Sequence, residues 1–63
     1  MDHTTEFFNR GFKIWIDALA DGRFRVGADS PSGETVFSGE FDTLQEAGPV
    51  VLVAVADAYA SAT

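Results

Sequence analysis

The sequence predicts an α+β domain, a three-stranded antiparallel β-meander packed on one C-terminal α-helix. Three observations predict it. Phe12–Ala18 and Arg23–Ala28 alternate apolar and polar residues with period two, as half-buried strands do. Clusters of Asp, Ser, Pro and Gly separate the alternating stretches. Thr43-Leu44-Gln45-Glu46 is a capping box opening an alanine- and valine-rich tail.

The elements follow in chain order. Residues 1–8 carry no strand or helix pattern and are expected to be flexible or loosely packed; Phe7 and Phe8 precede a bend at Asn9-Arg10-Gly11. In the first strand Phe12, Ile14 and Ile16 share one face, and Lys13, Trp15 and Asp17 the other. Ala20-Asp21-Gly22 then makes a three-residue hairpin loop with Gly22 left-handed. That loop pairs Ala18 with Phe24, Ile16 with Val26 and Ile14 with Ala28, all apolar. On the opposite face it pairs Asp17 with Arg25 and Trp15 with Gly27, where the indole covers bare backbone. A slip of one residue would set Asp17 beside Val26, so the pattern selects this register. Asp29-Ser30-Pro31-Ser32-Gly33 is a loop by composition, and Thr35–Phe41 is the third strand. Pairing Val26 with Phe37 turns Phe37 and Phe41 inward and sets Glu40 opposite Arg23.

Pro49 sits too deep for an undisturbed helix, so either a short first turn precedes a main helix from Pro49, or one helix bends there. Four valines leave a fourth strand over residues 50–55 as the alternative; the capping box and Ala54, Ala56, Ala58 and Ala60 favour helix. On a helical wheel Val51, Leu52, Val55, Ala58, Tyr59 and Ala62 face the core. The expected sheet–helix core is Ile14, Ile16, Phe24, Val26, Phe37, Val55 and Tyr59.

Sixty-three residues make a single small domain, 1–63, whose lone core is marginal. Domains of this size lean on disulfides, metal, oligomerisation or very good packing. The chain has no cysteine, and one histidine, His3, builds no metal site by itself, which leaves packing and oligomerisation. The start, Met1–Glu6, is polar and acidic, unlike a secretory signal, and the longest apolar run, Pro49–Ala56, is far short of the ~20 residues of a membrane span. The expectation is a soluble, cytoplasmic protein with no membrane partner.

Charge is distributed unevenly. All four cations, Arg10, Lys13, Arg23 and Arg25, lie in one window, with only Asp17 and Asp21 against them, while the net charge is −6. The window spans the first hairpin and Trp15, the one tryptophan. Lys13, Trp15, Arg23 and Arg25 are therefore candidate interaction residues, since basic and aromatic side chains on a sheet face can enter a DNA groove. Asp17–Arg25 and Arg23–Glu40 pairs would neutralise both arginines, and the acidic balance disfavours nucleic acid, so a solvated sheet face is the stronger reading. Trp15 is an interface anchor or a cover for Gly27. No catalytic, cofactor-binding or metal-binding residue is assigned. Nucleophilic catalysis needs a base near a hydroxyl, and the one histidine, His3, sits in the terminus expected to be mobile, so Ser30, Ser32 and Ser38 are read as structural. No small-molecule substrate is predicted.

Asp21-Gly22-Arg23-Phe24, Asp29-Ser30-Pro31-Ser32-Gly33 and Gly39 through Asp42-Thr43-Leu44-Gln45-Glu46-Ala47 together resemble HicB-type antitoxins. Those show a strand, a "DG" turn, a strand, a proline-glycine loop, a strand, and "G-x-T-x-E-E-A" opening a helix. Arg10-Gly11-Phe12-Lys13-Ile14 and the Thr43 helix start are similar also to short uncharacterised bacterial proteins of βββα pattern. The resemblance implies the fold above and, as one function, an antitoxin-like or nucleic-acid-linked regulator acting through the outer sheet face.

The residues themselves favour a different function, a small non-enzymatic, self-associating protein-interaction module, with a protein partner as a further possibility. Val50, Val53, Ala54 and Ala60 lie away from the core face, with Asp57 and Ser61 the polar members there. Apolar surface so placed marks an interface. The expected state is a two-fold homodimer through Val50, Val53, Ala54, Asp57 and Ala60, with the Trp15 sheet face as second choice.

Overall fold

The computed structural model describes residues 5–62. The expected looseness of residues 1–4, His3 included, and the core placement of the Ala62 side chain lie outside the described residues. The fold is α+β, with an antiparallel sheet and one C-terminal helix. The sheet has four strands, not three: β1 (Thr5–Asn9), β2 (Phe12–Ala18), β3 (Phe24–Asp29) and β4 (Thr35–Phe41), followed by α1 (Leu44–Ala62). Each strand pairs with its neighbour in sequence, in the order β1-β2-β3-β4.

The added strand comes from the bend at Arg10-Gly11. Both residues have positive φ, 54° and 82°, the requirement of a two-residue type I′ turn, whose twist matches that of paired strands. The chain therefore folds straight back, and Asn9 pairs with Phe12, Phe7 with Ile14 and Thr5 with Ile16. The segment expected to be loose has a paired backbone over residues 5–8, although its side chains stay exposed.

The β2–β3 register is the one the sequence selects, with Ala18 opposite Phe24, Ile16 opposite Val26, Ile14 opposite Ala28 and Trp15 opposite Gly27. The loop closes as expected: Leu19 N–H donates to the Arg23 carbonyl at 2.8 Å, and Gly22 N–H to the Leu19 carbonyl at 3.1 Å. Pro31-Ser32-Gly33 repeats this bonding pattern. Ser30 N–H donates to the Glu34 carbonyl at 2.7 Å, and Gly33 N–H to the Ser30 carbonyl at 2.8 Å.

The β3–β4 pairing corrects the sequence reading by two residues. Val26 faces Gly39 rather than Phe37, and Glu40 faces Arg25 rather than Arg23. A three-residue loop continued without interruption would set Phe37 opposite Gly27, on the outer face. A β-bulge between Ala28 and Asp29 inserts Val36 on β4 and returns Phe37 to the Ala28 position. Because the correction is an even number of residues, Phe37 and Phe41 still point inward.

Residues 50–55 are helix, within one uninterrupted α1. Thr43 is the N-cap: its hydroxyl oxygen accepts the Glu46 N–H at 3.2 Å. The Glu46 carboxylate accepts from the Thr43 hydroxyl at 3.4 Å. Pro49 lies inside the helix and withholds one bond from the Gln45 carbonyl. Proline also crowds the Cβ of the residue before it, and that residue is Gly48, which has none.

The core comprises Phe12, Ile14, Val26 and Ala28 from the sheet and Ala47, Val51 and Val55 from the helix, with Ile16, Phe24, Phe37, Phe41 and Ala58 packed around it. Ile14 and Val55 are fully enclosed. Two expected members are corrected, since Leu52 and Tyr59 are 48 and 42% exposed. The core stripe of the helix runs through Ala47, Val51, Val55 and Ala58, which places Leu52 and Tyr59 on its flank.

Candidate interaction surface

The outer sheet face gathers the predicted basic and aromatic residues, but they do not form one basic patch. Trp15 points outward as expected and is nonetheless buried, because its ring lies flat over Gly27: a Cβ built on Gly27 would overlap the indole. Its Nε1–H donates to Asp29 Oδ1 at 3.1 Å, and the Thr35 hydroxyl donates to the same oxygen at 2.9 Å. Arg25 pairs with Glu40 at 2.9 Å. Arg23 pairs with Glu40 at 3.4 Å, as expected, and with Asp42 at 2.9 Å. Glu40 of β4 and Asp42 just after it thus neutralise the arginines at one end of the face. Lys13 stands toward the other end, directly opposite Asp29. The fourth cation, Arg10, leaves this face altogether and sits 5.3 Å above the centre of the Tyr59 ring. It brings positive charge to the end of a helix whose own last turn has no basic residue.

Two hollows, of about 340 and 520 Å³, flank Pro31 at the end where the Arg10-Gly11 turn, the β3–β4 loop and the helix C-terminus meet. Phe8, Lys13 and Asp29 line the smaller; Phe12, Glu34, Val36 and Ala58 line the larger. Among the described residues, no polar or charged side chain is buried, and no three His, Cys, Asp or Glu side chains stand together as metal ligands. Reactive acids and bases are tuned chiefly by burial and close charge, and neither hollow supplies a buried one. Among the described residues no helix is long and apolar enough to cross a membrane.

The larger feature is on the helix side. α1 packs over β3 and β4. It leaves the inner face of β1 and part of β2 open, so that Phe7 is 45% exposed. A notch of about 190 Å³ separates the helix from this open half, between Phe7 and Ile16 on the sheet and Leu44 and Gly48 on the helix. At ~100° per residue, Gly48, Tyr59 and Leu52 lie on the flank facing β1, and Val50, Asp57 and Ser61 on the flank beyond β4. Glu46 joins that second flank. The apolar arc therefore continues from the core, through the β1 flank, and over the top along Pro49, Val53, Ala56 and Ala60, with Gln45 of the first turn its one polar member.

The residues assigned to the helix patch fall in three places. Val53, 61% exposed, and Ala60 crown the helix; Val50 and Asp57 stand on the acidic flank; Ala54 is half-buried. The sequence reading missed Phe7, Leu44, Leu52 and Tyr59. Phe7 required the Arg10-Gly11 turn to be recognised, and the helical flank required Ala47 to be counted in the core stripe. No protein-family model matches the chain, and neither a curated protein nor a solved structure matches it significantly.

Proposed function

We propose that this chain is a small non-enzymatic interaction module that associates with itself. The observation carrying this reading is the apolar surface on one side of the domain, where Phe7, Leu44, Leu52, Tyr59 and Val53 are 42 to 61% exposed. A two-layer domain normally turns such a side polar, and contiguous exposed apolar surface marks an interface. Small size adds to the argument, because the chain has no cysteine for a disulfide and encloses few large side chains. The antitoxin-like or nucleic-acid-linked alternative needs free cations on the outer sheet face, and Glu40 and Asp42 hold two of them.

Sedimentation across a wide concentration range tests the proposal. A dimer is expected, and Val53→Lys is expected to convert it to a folded monomer, since burying an unpaired ammonium is costly. A parent chain that remains monomeric at high concentration contradicts self-association. Salt-dependent binding of DNA or RNA would move the assignment to the alternative.

A further inference from the structure

We propose that a second copy of this chain closes the open half of the sheet, so that two helices lie side by side between two outer sheets. This deepens the self-association reading and rests on it. The two surfaces involved complement each other within one chain. The inner face of β1 and the Ile16 end of β2 present Phe7 and Ile16 and have no helix above them. The helix is apolar on the flank and crown beside that gap, except at Gln45 in its first turn. A helix stays stable with apolar residues beyond its sheet-facing stripe when those residues are covered too, and a single sheet covers only one side. Turning a second copy about an axis parallel to the helix satisfies both surfaces. Each crown, with Val53 and Ala60, comes down on the other copy's Phe7 and Ile16, and the Leu52 flanks meet across the axis.

Charge supports the same side. The chain carries −6, so bringing two copies together is costly wherever acids face acids. The described acids of the helix, Glu46 and Asp57, stand beyond the crown on the flank away from β1, at the border of the contact beside Val53, and Glu6 of β1 shares the outer sheet face with Trp15. The area suffices. A helix flank and crown about 28 Å long and ~14 Å across, with the one open strand ~5 Å across beside them, give on the order of 500 Å² per copy in projection. Two such surfaces reach the ~1,000 Å² at which specific interfaces begin.

Parallel helices packed ~8–10 Å apart bring equivalent flank residues within disulfide reach. The chain has no cysteine, so a single introduced one reports only contacts between copies. Leu52→Cys and Val50→Cys differ in flank but little in exposure, 48 against 44%. Both folds are checked by circular dichroism, then oxidised mildly at a concentration where the parent sediments as a dimer. Leu52→Cys is expected to shift from monomer to covalent dimer while Val50→Cys stays monomeric on a denaturing gel. Equal crosslinking of the two, or crosslinking through Val50→Cys alone, overturns this face and leaves self-association standing. A parent chain that never dimerises overturns both.

Discussion

Trp15 and Gly27 show how one missing methyl group organises a sheet face. The indole of Trp15 occupies the space where any other residue at 27 would place its Cβ. The ring thereby becomes buried on the side of the sheet away from the helix. Gly27→Ala is therefore expected to cost more than a surface substitution, about 1–3 kcal/mol, because the ring must leave its site. Chemical denaturation measures the loss, and a red-shifted tryptophan emission reports the displaced indole. Unchanged stability and emission would contradict the stacking. The ion pairs beside it behave differently. Glu40 meets both arginines, yet all three side chains are 41 to 49% exposed. Glu40→Gln is expected to lower stability by at most about 1 kcal/mol, with the difference shrinking as salt is raised. A larger, salt-independent loss would mean that these pairs hold the sheet edge together.

Among the elements, the helix depends most visibly on its first turn. Pro49 removes a backbone bond in the second turn and Gly48 is a poor helix former, so Thr43 must fix the start. Thr43→Ala is expected to cost about 1 kcal/mol, read as a lower denaturation midpoint with an unchanged slope. The sequence made this cap legible because its spacing is local. The β2–β3 hairpin was legible for another reason: apolar pairing, charge pairing and the Gly22 loop all selected one register. β1 was not legible. Phe7 and Phe8 are adjacent and point to opposite faces, so no alternation appears, and the turn places Arg10 at a positive φ that arginine rarely adopts. The β3–β4 bulge was hidden as well. Loop geometry and apolar phase there disagree by one residue, and only the backbone bonding at Ser30 and Gly33 reveals that Val36 absorbs the difference. The interaction surface was half legible: an excess of apolar residues on the helix could be counted, but which flank carries it follows from the path of the helix over β3 and β4.

For the molecule as a whole, self-association couples folding to concentration. The melting temperature is expected to rise by a few degrees per tenfold increase in concentration, and to lose that dependence in Val53→Lys. Calorimetry at several concentrations checks this, and a constant melting temperature for the parent contradicts it. The neighbour-to-neighbour order of the strands has a further consequence, in time rather than in energy. Every strand pairing closes a loop of a few residues, and hairpins of that kind form in about 1–10 μs. Short loops also keep the entropy of closure small. The helix is the last element in sequence, and its Ala47 and Val51 need Ile14, Val26 and Ala28 already aligned beneath them. The chain is thus ordered so that the sheet can assemble from one end to the other before the helix docks on it.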